Sequence, residues 1–341
     1  MRFLSIMFSC CLLACTSTIR VTAQARTDQD DDVIRTVTDL TNLLFTATDK
    51  NRRFVTTLRQ EDIRVLEDGV PQTLFTFQRE TDRPLAVALL IDVSLSEERT
   101  LSQEKAAARS FVETIIRSSK DQAAVIPFTA SAFLEQGLTR DVLSIYRALE
   151  RVEVAAPSYT GAGHPISGLP VGPGRAFPRE GMTAIWDAIT LSANRILAPS
   201  TGQRRRAIIL LTDGWDTSSS VTMSTAINQA IESETIIYAI GIGDKRYEGV
   251  DESGLHAIAE RTGGRAFFPK KNVDLTAAFE AIEQELRSQY LLAFSSTNKQ
   301  RDGKFRQLQI VISNHDLLKE QLKLRYRPGY VAKPYSGQAA P

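Results

Sequence analysis

The apolar positions of this chain change period twice, and the changes divide it into three parts. From residue 36 to 82 they alternate: Leu43, Phe45 and Ala47, then Ile63 and Val65, then Phe75 and Phe77. Period two is the signature of strands with one buried face. Asp49-Lys50-Asn51 reads as a turn and Asp68-Gly69 as a hairpin turn, with no room between strands for a crossover helix. Antiparallel β structure is predicted here.

A different pattern begins after Thr81-Asp82-Arg83-Pro84. Leu85 to Ile91 is a continuous apolar run, as expected of a strand buried on both faces. Helical spacing follows at Leu101, Ala108, Phe111, Val112 and Ile115. Strands are predicted at 122–128, 132–138, 207–211, 235–240 and 266–268. Helices are predicted at 141–152, around Ile185, Ile189, Ser192 and Ile196, and at 221–232, 252–262 and 274–288. Strands alternating with helices imply right-handed crossovers and a doubly wound, mostly parallel α/β sheet over 83–288. Residues 155–181, rich in Pro and Gly, interrupt it as one long loop. Loops of this length commonly carry function, here a rim or lid role.

Beyond residue 289 the period returns to two, at Leu308, Ile310 and Ile312 and at Leu322, Leu324 and Tyr326. Neither β flank has strands enough to bury two faces alone. Residues 36–82 and 289–331 are therefore expected to form one antiparallel β-sandwich, with the α/β domain inserted between them. The acidic leader 26–35 and the tail 332–341 are expected to be solvated ends.

The first 25 residues read as an export signal. Met1-Arg2 precedes the apolar run Phe3 to Ala14, too short to span a bilayer, and Ala23-Gln24-Ala25 offers a small-x-small cleavage site after Ala25. A second reading stands beside it: Leu12-Leu13-Ala14-Cys15 resembles a lipobox, which would place a lipid anchor on Cys15. Both readings put the protein outside the cytoplasm: periplasm, envelope or secreted. All three cysteines, Cys10, Cys11 and Cys15, lie in this segment, so no disulfide framework or zinc–thiolate site is available. No later segment has the length of a transmembrane helix.

Composition adds little and excludes more. At 43% hydrophobic and 24% charged the chain is an ordinary globular one, and its net charge of +1 gives no general attraction to nucleic acid. Arg204-Arg205-Arg206 is expected to be a solvated turn leading into a strand. His164, His256 and His315 are scattered, and no HExxH, GxSxG or GxxxxGK[ST] occurs.

Candidate chemistry sits at the carboxyl ends of two buried strands, where open α/β sheets place their ligands. Asp92, Ser94 and Ser96 leave the first strand, and Asp213 leaves the strand at 207–211. Thr183 adds a hydroxyl at the start of a helix. These five are hard oxygen donors, suited to Mg²⁺ first, or to Mn²⁺ or Ca²⁺, rather than to zinc or copper. Asp216 reads as a loop cap or an outer hydrogen-bond acceptor.

Asp92-x-Ser94-x-Ser96, Gly181-Met182-Thr183 and Thr212-Asp213-Gly214 together resemble the metal-ion-dependent adhesion site of von Willebrand factor type A domains, over about residues 84–270. Glu61 to Gln72, Glu285 to Leu292 and Asp302 to Arg306 resemble the flanks of secreted acidobacterial proteins carrying such a domain. Leu95 stands where many members have Gly, and the 155–181 loop exceeds the usual length. The resemblance implies a divalent cation on top of the sheet and a non-enzymatic binding or adhesion module. Its partner would be a protein that completes the coordination with an Asp or Glu. It also implies that occupancy is linked to movement of the last helix, 274–288. Two alternatives remain. One is an envelope-assembly role in which the cation only rigidifies the domain. The other is an aspartate-dependent phosphatase, which wants a second acid where Ser94 stands.

Overall fold

The computed structural model describes residues 40–332 except 81–82, 118, 155–163, 166–181, 200–203 and 244–248. The export signal, the leader, the tail beyond 332 and nearly all of the long loop lie outside the described residues. Everything described belongs to one compact unit, Asp39–Pro341.

The N-terminal flank supplies strands β1 (Leu40–Thr48), β2 (Ile63–Glu67), β3 (Val70–Gln72) and β4 (Leu74–Arg79). The middle of the chain runs β5 (Leu85–Asp92), α1 (Leu101–Ile115), β6 (Gln122–Phe128), β7 (Phe133–Leu134), β8 (Gln136–Thr139), α2 (Val142–Arg151) and β9 (His164–Pro165). It continues through α3 (Ile185–Leu191), β10 (Arg205–Thr212), α4 (Met223–Glu232), β11 (Thr235–Gly241), α5 (Glu252–Thr262), β12 (Ala266–Phe267) and α6 (Asn272–Arg287). The C-terminal flank adds β13 (Tyr290–Ser295), β14 (Phe305–Ile312), α7 (His315–Lys319), β15 (Lys323–Tyr326) and β16 (Gly329–Val331).

The central sheet has the order β12-β11-β10-β5-β6-β8, parallel except for β8. Every residue of β5 is buried, and alternate side chains serve opposite faces. Leu85, Val87, Leu89 and Ile91 pack with residues of α1, α2 and α6, whereas Ala86, Ala88 and Leu90 pack with α3, α4 and α5. Complete burial of each Leu or Ile here contributes about 1.5–3 kcal/mol. The chain leaves β5 toward β6 on one side and returns to β10 on the other. The order therefore reverses between β5 and β10, and their carboxyl ends frame a crevice.

Two further four-stranded sheets, β15-β1-β13-β4 and β16-β14-β2-β3, each combine strands from both flanks. Leu43, Phe45, Val65, Leu292, Phe294, Leu308 and Ile310 share one buried core between them. This is the antiparallel sandwich, with the doubly wound α/β part inserted. Asp68 and Gly69 both take positive φ and close the β2–β3 hairpin. Among the described residues no helix is long and apolar enough to cross a membrane.

Four expectations need correction. The strand expected over 132–138 breaks into β7 and β8, because Glu135 turns inward and its carboxylate meets Arg151 at 2.5 Å. Phe75 does not join Phe77 in the core; it is 63% exposed, the extra residue of a bulge in β4 opposite Ala293 and Phe294. The loop between 155 and 181 is not wholly irregular, since β9 pairs antiparallel with β7. Arg205 is no solvated turn residue; it is buried and donates to the carbonyl oxygen of Leu286 at the end of α6.

Candidate metal centre

Asp92 is the last residue of β5 and is fully buried. Its Oδ2 accepts from the Thr212 hydroxyl at 2.6 Å, and its Oδ1 accepts from the Ser94 backbone N–H at 3.0 Å. The first bond ties the ends of β5 and β10 together across the crevice. The second folds the loop back so that Ser94 and Ser96 meet, their hydroxyl oxygens 2.9 Å apart. Asp213 follows β10, and its Oδ1 accepts from Trp215 N–H at 3.1 Å, a tight turn closed through Gly214. Thr183 is 4% exposed. Its N–H donates to Thr217 Oγ1 at 2.8 Å, and its carbonyl accepts from the N–H groups of Thr217 and Ser218. Thr183 is thus pinned to the loop that carries Asp213. Asp216 caps the following helix: its Oδ1 accepts from Ile185 N–H at 2.8 Å and from the Ser219 hydroxyl.

The structure adds a residue that the motif does not contain. Oxygens of Asp92, Glu97 and Asp213 all lie within 4.8 Å of one another. Glu97 is fully buried; its Oε2 accepts from Thr100 at 2.6 Å, and its Oε1 has no hydrogen-bond partner. Glu104, also buried, stands behind it on α1. Burial pushes Asp92 up to about 6, against the Thr212 hydrogen bond and with the charge of Asp213. Burial likewise raises Glu97, and the charge of Glu104 raises it further; Glu104 is raised chiefly by its own burial. Like charges brought together out of water penalise the ionised forms.

A divalent cation fits this donor set. Three close carboxylates and neighbouring hydroxyls are hard oxygen ligands. Glu97 also faces the buried Glu104 carboxyl, so a cation would take the place of the proton that this pair shares. Glu97 was illegible because Glu97-Glu98-Arg99 looks like a solvated helix entrance, and only its place directly after Ser96 hints otherwise.

Gly214 holds φ +91°, and a Cβ there would stand 3.0 Å from Leu255 Cγ and 3.2 Å from the Asp251 carbonyl oxygen. Gly214→Ala should therefore cost on the order of 1–2 kcal/mol and weaken cation affinity by re-aiming Asp213. Thermal melts and calorimetric cation titration read both effects. Undiminished affinity would mean that this turn does not position the carboxylate.

The family model described as von Willebrand factor type A domain matches residues 175–282. That span holds Thr183 and Asp213 and leaves Asp92, Ser94 and Ser96 before it. Among solved structures, the chain is similar to an aerotolerance-related membrane protein from Bacteroides fragilis, with 21% identity, TM-score 0.44 and 59% of this chain and 98% of that one covered. It is similar to von Willebrand factor type A from Catenulispora acidiphila, with 14% identity, TM-score 0.48, and coverage of 89% and 76%. It is also similar to proximal thread matrix protein 1 from the mussel byssus, in a structure with a zinc-occupied MIDAS motif. There the identity is 18%, the TM-score 0.48, and 63% of this chain matches 48% of that one, about half its length. No curated protein matches the chain. Likeness at these levels carries no functional argument, and the assignment rests on the family model and the sheet order. The chain carries a von Willebrand factor type A domain.

Proposed function

We propose that this protein is a cation-dependent binding module, exported through its N-terminal segment, that captures a protein partner at the β5–β10 crevice. The observation that carries the reading is the meeting of Asp92, Glu97 and Asp213 within 4.8 Å at the topological switch point. Asp92, Ser94, Ser96, Thr183 and Asp213 would hold the ion, with Glu97 as a further carboxylate. The bound ion supplies positive charge and a coordination position for an Asp or Glu of the partner. Leu95 and Trp215, 47% and 39% exposed, flank the crevice and offer apolar contact to what docks there.

The extra carboxylate bears on the choice of ion. Mg²⁺ demands six ligands in strict octahedral geometry, whereas Ca²⁺ accepts seven or eight. Glu97 therefore favours Ca²⁺ over the Mg²⁺ expected from the motif, because Ca²⁺ keeps room for a partner. Calorimetry of the chelated protein should give tighter Ca²⁺ than Mg²⁺ binding, and Glu97→Gln should narrow the gap. A Mg²⁺ preference that survives in Glu97→Gln would remove Glu97 from the ligand set.

Capture itself is tested by pull-down from envelope and secreted fractions in Ca²⁺ or Mg²⁺. Release in EDTA and loss in Asp213→Ala are expected. Capture that persists in both would place the binding surface elsewhere. Burial of Asp92 and Glu97 gives one specific reason for a second reading, in which the ion is a structural rivet. In that case melting temperature depends on the ion and capture does not.

A further inference from the structure

The other end of the parallel sheet, roughly 25 Å from the carboxylates along the eight residues of β10, holds a different kind of site. A cavity of about 40 Å³ opens there between the sandwich and the α/β part. Asn42, Leu291 and Arg327 line it from the sandwich, and Arg205, Glu234 and Thr262 from the other side. The volume exceeds what one water needs and suits a compact group of a few heavy atoms.

Its two key arginines hydrogen-bond only to neutral groups, and the buried Nε of each has no hydrogen-bond partner. Arg205 is 4% exposed and donates to the carbonyl oxygens of Leu286 and Arg83 and to Gln289 Oε1. Arg327 donates to the Asn42 carbonyl oxygen at 2.7 Å and lies over the Tyr330 ring. The nearby acids make their direct bonds to other groups, Glu80 to Arg83 at 2.8 Å, Asp121 to Arg117 at 2.6 Å and Glu234 to Asn42 at 2.6 Å, and act on the two arginines only through space, Glu80 on Arg205 and Glu234 on Arg327. Burial pulls both guanidinium groups down to about 10. Buried charges in folded proteins are ordinarily paired, and a guanidinium is the side chain best shaped to take two oxygens at once.

We propose that this cavity binds a small oxyanion, of the class of inorganic phosphate, which pairs with Arg205 and Arg327 and ties the sandwich to the α/β part. The site is independent of the cation, lies away from the crevice, and offers its ligand donors from both parts of the fold. Glu234 is the one acidic side chain among those lining it, so it opposes the anion.

The test uses the full chain in EDTA, titrated with sodium phosphate against sodium chloride at matched ionic strength. Phosphate should raise the melting temperature saturably and give a calorimetric isotherm, with chloride doing neither. Arg205 also holds the end of α6, so its variants risk misfolding, and the decisive variants are Arg327→Gln and Glu234→Gln. The first should weaken phosphate binding about tenfold or more, and the second should strengthen it severalfold. Equal effects of phosphate and chloride, or an isotherm unchanged in Arg327→Gln, would overturn the proposal.

Discussion

Chelating divalent cations should lower the melting temperature of this protein far more at pH 8 than at pH 5. Asp92 titrates near 6 in the fold, against 3.8 ordinarily, because it is buried and faces Asp213. A carboxyl raised on folding stabilises the fold fully below its unfolded value, near 4, and that contribution is lost as pH rises through about 6. Two pH units correspond to about 3 kcal/mol for Asp92. Glu97 is shifted in the same direction by burial. At pH 8 the cation-free protein thus buries an ionised Asp92 without compensation, while Glu97, raised much further, keeps its proton until a cation displaces it. A cation at a thousandfold excess over its Kd adds about 4 kcal/mol. The expected rise in melting temperature is on the order of 5–10 °C at pH 8. It should be small at pH 5, where protons compete for the same oxygens. Asp92→Asn should melt higher than the parent protein in EDTA at pH 8 and gain little from added cation. Scanning calorimetry at both pH values decides the matter. Equal cation effects at the two would mean that these carboxylates do not hold the ion.

What was legible in the sequence follows from how much each signal depends on neighbours. The run Leu85 to Ile91 is legible because a strand buried on both faces needs apolar residues at every position, whatever covers it. Asp92, Ser94, Ser96, Thr183 and Asp213 are legible as candidates because strand ends and loop spacing are local features; the fold then brings Asp92 and Asp213 together. Glu97 and Arg205 were not, since a charged residue reads as exposed unless its three-dimensional surroundings are known. Glu97 is turned inward by the short helical turn Leu95–Glu97 after Ser94, and Arg205 by the close approach of α6. Phe75 failed for the opposite reason. It is the extra residue of a bulge in β4, where Ala293 pairs Thr76 and Phe294 pairs Leu74, so the alternation breaks there and Leu74 faces the core instead.

The composite sandwich predicts a large effect at a position far from the metal centre. Tyr290 begins β13, the strand that pairs with β1 on one side and β4 on the other. It is 1% exposed and stacks on Phe45 and Phe77, with ring centroids 5.0 and 5.4 Å away. Its hydroxyl accepts from Leu58 N–H at 3.0 Å and donates to the Val55 carbonyl oxygen at 3.2 Å. Tyr290→Phe leaves that buried N–H without a partner and should cost about 1–3 kcal/mol. Tyr290→Ala also opens a cavity between two flanks that share no loop, and about 3–5 kcal/mol is expected. The sandwich core is a separate cluster from the two that cover the parallel sheet. Hydrogen exchange in Tyr290→Ala should therefore quicken first in β1, β4 and β13, while amides of β5 and β10 stay protected. The cation titration should be nearly unchanged in this variant, because Asp92 and Asp213 are held by the parallel sheet. Uniform loss of protection across β5 and β10 would instead mean that the inserted sheet has no stability apart from the sandwich that encloses it.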